Sequence, residues 1–373
     1  MKIQAKQAAF AAALAAVQGV TSHKSTLAIL SNVLLEASGD QVVLRATNLD
    51  VTIATACPCE VIEAGAAALD ARRLLALVKN SKAASVDLST EANHFGRIAT
   101  GKARTLLPGA DPGMLSIRKV DAAGLFPIGT ARLLDMIEKT LFSASTDEGR
   151  PSLNGAFFRV SADGTFAMIS TDGHRLSRIA LAPTSSSAAT SWPAELGRGV
   201  IIPTKGLVEL KRNLDPSEPD TLFGLQDNDV IFRHGPTSLS IRLIDGTFPD
   251  VDSVLPREGD VKAIIRRADL IHALKYVGVV APPKTGNVRI TLKPGICELH
   301  TQEADAGDCT FEVEAQYEGK AVQAGYNFHY LLDVLGVIDG DEITMEIIDT
   351  ISPTMIRDTS RDDLLFVVMP MRV

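Results

Sequence analysis

Apolar and polar positions along this chain of 373 residues follow a scheme that recurs three times. Each copy has an apolar strand-like run, a turn with Thr beside an acid or amide, and a second apolar run. The copies are Val42-Val43-Leu44-Arg45-Ala46-Thr47-Asn48, Phe166-Ala167-Met168-Ile169-Ser170-Thr171-Asp172 and Ile296-Cys297-Glu298-Leu299-His300-Thr301-Gln302-Glu303. Their threonines stand 124 and 130 residues apart, close to a third of the chain. A period this long marks a repeated small domain and not a solenoid unit. Helical periodicity frames each run. An opening helix is predicted over 3–19, 130–141 and 266–277, and a second over 70–82, 204–214 and 326–338. In the first of these, Phe10, Leu14 and Val17 recur at i, i+4, i+7, one helical face, and alanine favours the conformation. The second helix aligns as Arg72-Arg73-Leu74-Leu75, Lys205-Gly206-Leu207-Val208 and His329-Tyr330-Leu331-Leu332. Turn signals Asp163-Gly164, Asp245-Gly246 and Asp339-Gly340 divide further short strands. Two helices beside a mostly antiparallel sheet make an α+β domain. Three like domains form an arc, and arcs can close into rings.

Pro/Gly-bearing stretches around 107–124 and 248–259 set the domain boundaries, giving 1–122, 123–256 and 257–373. Hydrophobic content of 46% with 22% charged residues is that of an ordinary globular protein. No run approaches the ~18 apolar residues of a membrane span, and the expected location is cytoplasmic. A signal peptide is the competing interpretation of the Ala-rich N-terminus. Four cysteines without clamp spacing point to reduced thiols rather than a disulfide or zinc scaffold.

A net charge of −8 argues at first against nucleic acid, but its distribution does not. The six predicted helices, taken as 2–19, 70–82, 130–141, 204–214, 265–276 and 326–338, hold 14 Lys and Arg against 6 Asp and Glu. They carry a surplus of eight positive charges while the rest of the chain carries sixteen negative ones. Helices sharing one face would make it attractive to phosphates on an otherwise repelling protein. Six separately solvated helices are the alternative.

Thr171-Asp172-Gly173-His174-Arg175 is the most enzyme-like string. An acid–base pair of Asp172 and His174 competes with a turn between two strands, which Asp-Gly favours. Phosphate-loop, dinucleotide and nucleophile-elbow motifs are absent, as is metal-ligand spacing. No catalytic residue, metal or cofactor is therefore expected. At the chain end, Leu364-Leu365-Phe366-Val367-Val368 is an apolar strand stopped by Met369-Pro370-Met371-Arg372-Val373. Methionines there offer a soft surface for varied peptides, unless the strand is simply core.

Several of these strings together resemble the bacterial DNA polymerase III β subunit, the sliding clamp family. They are 171–176, Leu153-Asn154-Gly155, Asp245-Gly246-Thr247-Phe248-Pro249-Asp250, Gly325-Tyr326-Asn327, Val367-Val368-Met369-Pro370-Met371-Arg372 and Ser25-Thr26-Leu27-Ala28-Ile29-Leu30-Ser31-Asn32. They span the chain in order. The resemblance implies an α+β protein of three tandem DNA-clamp domains, each two helices packed on antiparallel sheet, forming half of a six-domain ring. It implies a non-catalytic processivity factor: a head-to-tail homodimer around duplex DNA, with no sequence readout and no membrane role. DNA-facing positions would be Lys24, Arg72, Arg150 and Lys205. A partner-peptide pocket would be lined by Leu153, Thr171, Gly173, His174, Arg175, Leu176, Pro249, Val254, Ile351, Val367, Val368, Met369, Pro370, Met371 and Arg372, with Asn327 and Tyr330 at its edge. Its implied partners are the polymerase III catalytic subunit, the clamp loader, and other polymerases and repair proteins, through short motifs with a Gln and Leu/Phe anchors. Departures fall at Val251-Asp252-Ser253, at 282–287 and in a short hairpin at 101–108, the last expected near the ring-closing contact with Val279 and Val280.

Overall fold

The computed structural model describes residues 1–21, 27–115, 117, 124–183, 194–251 and 262–371. Both expected domain boundaries lie outside these residues, as do Lys24, Ser253, Val254 and Arg372. Seven helices are described: α1 (Gln7–Gln18), α2 (Ala71–Lys79), α3 (Thr130–Thr140), α4 (Ala194–Arg198), α5 (Thr204–Asn213), α6 (Arg267–Gly278) and α7 (Phe328–Val337). Six answer to the periodicity, and α4 is an addition. One correction concerns the N-terminus, where Lys2–Lys6 forms a strand instead of the first turn of α1. Its Lys-Ile-Gln-Ala-Lys alternation buries Ile3 and Ala5 and exposes the residues between, a period of two. The repeated unit is thus strand then helix. Every helix except α4 directly follows a short strand: Lys2–Lys6, Gly65–Asp70, Phe126–Gly129, Val200–Pro203, Ala263–Arg266 and Val322–Asn327. The strand-ending Asp70 and Asn327 cap α2 and α7, accepting from the N–H groups of Arg73 (2.8 Å) and His329 (3.0 Å).

Two compact units emerge, Met1–Leu134 with Lys205–Leu243, and Asp135–Thr204 with Ile244–Val373. The middle third of the chain contributes to both, and strand pairing gives the reason. In the first unit Thr237–Arg242 adds antiparallel to Val51–Glu63, with Thr237 opposite Thr55, so thirteen strands form one sheet. In the second, Arg175–Leu181 pairs with Leu364–Val368, with Leu176 opposite Val367, within a sheet of twelve. A sheet continuous across a repeat boundary buries backbone groups that edge strands would leave open.

Helix α1 packs Phe10, Leu14 and Val17 fully inside the first unit. Gly19 at its end allows Glu209 of α5 to approach, since a Cβ there would lie 2.2 Å from Glu209 Oε2. In the second unit α7 has no basic residue in its last turn. Its last carbonyls are met from outside: Arg267 donates to Leu335 (3.1 Å) and Lys139 to Val337, while Arg267 also holds the Gly340 carbonyl beyond the helix (2.8 Å). Basic helix residues are therefore not all available at a surface. The observed helices carry 11 Lys and Arg against 6 Asp and Glu, a smaller surplus than the sequence implied, because Lys2, Lys6, Lys82 and Arg266 lie outside them. Cys57 and Cys297 are buried thiols, pushed up to about 11 and about 12 chiefly by burial, with no disulfide among the four cysteines.

Candidate functional site

The Thr-plus-acid turn ending the strand Phe166–Thr171 is built twice. Thr171 Oγ1 donates to the Arg175 carbonyl (2.7 Å) and accepts from Gly173 N–H (3.1 Å). Asp172 Oδ1 accepts from the N–H groups of His174 (2.9 Å) and Arg175 (3.0 Å). In the first third, Thr47 Oγ1 donates to Val51 (3.1 Å) and accepts from Leu49 N–H (3.0 Å), while Asn48 Oδ1 accepts from Asp50 (3.1 Å) and Val51 (2.8 Å). Both turns need a left-handed residue, with φ of 89° at Gly173 and 82° at Leu49. Glycine meets that need without the Cβ conflict leucine accepts. The third copy departs: Ile296–Glu303 runs on as strand, and Thr301 Oγ1 donates to the Asn287 carbonyl (2.8 Å).

At the second copy the turn borders a cavity of about 200 Å³. Leu153, Thr171, Gly173, Arg175, Leu176, Pro249, Val251, Val367 and Met369 line it. Its floor is continuous with a buried cluster including Ile169, Ile201, Phe248, Met355 and Leu365. The chain end is tied to the turn by Met369 N–H, which donates to the His174 carbonyl at 2.8 Å. Of the residues named from the sequence, Val368 faces away: it is fully buried, because Val367 and Met369 occupy the cavity side and side chains alternate along a strand. Val251 lines the cavity although the sequence marked it only as a departure. Its place beside the Phe248-Pro249 segment was the available signal.

Arg175 holds this rim in place. Its Nε reaches Asp172 Oδ2 (3.1 Å), its Nη2 donates to the Phe142 carbonyl (2.9 Å), and its Nη1 pairs with Asp333 of α7. The guanidinium also stands over the rings of Phe142 (5.3 Å) and Tyr330 (4.7 Å). Asp333 follows Tyr330 by three residues on α7, so both reach one place. The pair is attractive chemistry already spent on structure. Asp172 is likewise occupied by backbone N–H groups and Arg175, and the exposed His174 ring stacks on Tyr330 at 6.2 Å. The acid–base pairing of Asp172 with His174 is not formed.

Ile351 and Met371 do not line this cavity. They border a second depression of about 650 Å³, with Arg289, Gln323, Ala324, Gly325 and Thr350. Ile351 on its rim is 73% exposed. Asn327 lies at the α7 N-cap, and Pro370 is half-buried between the two methionines. Among the basic residues, Arg72 and Lys205 are both exposed at the second position of their helices, α2 and α5. His329 holds the same position in α7. Arg150 is exposed and reaches the Asp172 carbonyl (3.5 Å) and the Asp147 carboxylate (3.5 Å), so it flanks the cavity turn.

Comparison with known proteins agrees along the whole length. Family models of the DNA polymerase III β subunit match as its N-terminal domain over 1–113, its central domain over 128–250 and its C-terminal domain over 252–372. The beta sliding clamp of Caulobacter vibrioides is 32% identical over 384 residues, covering 100% of both chains. The crystal structure of the DNA polymerase III subunit beta from Pseudomonas aeruginosa superposes with a TM-score of 0.93 at 28% identity, covering 100% of both. A sliding clamp of the same organism bound to griselimycin gives 0.92 at 28% identity, again with 100% of each chain covered. Three clamp domains of mixed helix and antiparallel sheet describe this fold.

Proposed function

The chain belongs to the DNA polymerase III β subunit family, the non-catalytic sliding clamp that serves as processivity factor of that polymerase, and on that premise we propose that it closes as a head-to-tail homodimer around duplex DNA and docks partners by short peptides. Its three repeat domains, 1–122, 123–256 and 257–373, would supply half the ring, acting in the cytoplasm. The observation that carries the docking proposal is the cavity shared by the 171–176 turn and Met369. Its apolar floor suits Leu or Phe anchors, and burying about 300–400 Å² gives roughly 8–10 kcal/mol gross. Ordering a free peptide cancels much of this, leaving micromolar binding. Exchangeable binding suits a platform used in turn by the polymerase III catalytic subunit, the clamp loader, other polymerases and repair proteins. Griselimycin bound to the Pseudomonas aeruginosa clamp supports a ligand-accepting surface in this family.

Ring closure has its own supporting features. The strand Ala103–Leu107 pairs only with Gly96–Thr100 among the described strands, and Leu106 on it is 50% exposed. Beside it, a groove of about 630 Å³ is lined by Leu77, Ile98, Thr105 and Leu107 among others. Val279, 83% exposed, and its neighbour Val280 would enter that groove on a second copy. Arg72, Lys205, Arg150 and Lys24 would meet phosphates without base contacts, so attraction is sequence-blind and salt-sensitive. Sedimentation over a range of concentrations should give twice the chain mass; a monomer throughout leaves no ring to close. Deleting 369–373 should abolish binding of a Gln-Leu-Ser-Leu-Phe peptide while preserving the dimer, and normal binding would remove the cavity assignment.

A further inference from the structure

The second depression contains a cation, Arg289, for which the described residues supply no ion-pair partner. Arg289, half-buried on the strand Asn287–Lys293, lines it. Among the described residues no carboxylate pairs with it. Arg289 stands opposite Gly325 on one neighbouring strand and His300 on the other. Met371 makes an isolated antiparallel bridge with Gly325, its N–H donating to that carbonyl at 2.8 Å. Directly opposed residues of antiparallel strands share a face. Met371, Gly325, Arg289 and His300 therefore form one transverse row, with steps of about 4.8 Å. Gly325 has no side chain, so the row is open between the methionine and the guanidinium. His300 is already joined to Asp308 at 3.0 Å, so among the described residues Arg289 is the charge of the row without an ionic partner.

We propose that Arg289 is the anion-binding end of the partner-docking surface, taking a carboxylate of the docked peptide. The proposal rests on the first cavity being the peptide anchor site. Met369 lines that cavity and Met371 this one, so the chain end is a wall common to both. Two residues along an extended chain and two strand spacings across the sheet separate Met369 from Arg289 by roughly 12 Å. An extended peptide covers that span in about three or four residues. Partners would carry an acidic side chain, or a terminal carboxylate, at that remove from the apolar anchor. Exposed Ile351 beside the path offers the intervening residues apolar contact.

Fluorescence anisotropy on the full chain tests this with labelled Gln-Leu-Ser-Leu-Phe peptides. They are extended on either side by Ala-Ala-Asp-Asp or Ala-Ala-Asn-Asn with blocked termini, and one Asn form keeps a free C-terminal carboxylate. An acidic form should bind on the order of fivefold more tightly than its Asn counterpart. That gain should vanish in Arg289→Gln and at about 0.5 M salt, while the neutral peptide binds both proteins equally. Gain in the Asp form assigns a side-chain carboxylate; gain only in the free-acid form assigns the terminus. Equal affinities for all forms, or a gain that survives Arg289→Gln, would overturn the proposal while leaving the first cavity intact. Loss of DNA retention by Arg289→Gln with peptide binding unchanged would transfer the residue to phosphate binding and also overturn it. If the neutral peptide does not bind at all, the anchor site falls and this inference with it.

Discussion

Replacing Thr171 by valine removes one hydroxyl from a side chain of nearly the same shape, at a point where two hydrogen bonds close the cavity turn. The bonds removed are Thr171 Oγ1 to the Arg175 carbonyl at 2.7 Å and from Gly173 N–H at 3.1 Å. Each such bond is worth about 0.5–1.5 kcal/mol net. Gly173 is exposed, so water can replace its partner, whereas Thr171 is only 8% exposed. The expected destabilisation is thus about 1–2 kcal/mol, toward the lower part of the two-bond sum. Asp172 still holds His174 and Arg175, so the turn should loosen without melting. Because Thr171, Gly173 and Arg175 are all cavity walls, peptide affinity should fall with stability. Calorimetry and anisotropy on Thr171→Val, with Thr171→Ser as the hydroxyl-retaining control, read both effects. A valine variant as stable as the native chain, with unaltered peptide affinity, would refute this account of the turn.

Val279→Asp should convert the dimer to a folded monomer, checked by sedimentation and circular dichroism, since a charge replaces an apolar side chain at an 83% exposed position. Arg72→Ala and Lys205→Ala should each flatten the dependence of DNA affinity on salt, by about 0.9 in log–log slope for each phosphate left without its cation, measured by titration on duplexes of unrelated sequence. Burial holds the Glu209 carboxyl above its usual range, with Arg212 partly opposing. A carboxyl raised in the folded state favours folding when protonated, so its contribution is lost as pH rises through the folded pKa. Glu209→Gln should accordingly raise the melting temperature near neutral pH, with the difference shrinking as the solution is acidified.

Much of the architecture was legible because periodicity is a local property. Phe10, Leu14 and Val17 are one helical face in any context, and α1 buries all three. The N-terminal strand was missed because Ala-rich sequence favours helix, and only pairing with Val51–Glu63 and Ser85–Thr90 makes Lys2–Lys6 extended. Tertiary pairing overrides propensity there. Val368 is set apart from the cavity by strand alternation, since its neighbours Val367 and Met369 take the cavity side and leave it fully buried. Arg175 illustrates what sequence alone hides. Its partners Phe142 and Asp333 come from distant segments, and only the fold brings them to it. Arg289 was invisible for the same reason, since its row is assembled from three strands and the chain end.

Retention on DNA by topology is the central claim. The protein, loaded onto nicked circular plasmid and separated from free protein by gel filtration, should remain with the circle and be lost once a restriction enzyme linearises it. Equal loss from circular and linear plasmid, or equal retention on both, would contradict a ring that holds DNA by enclosing it.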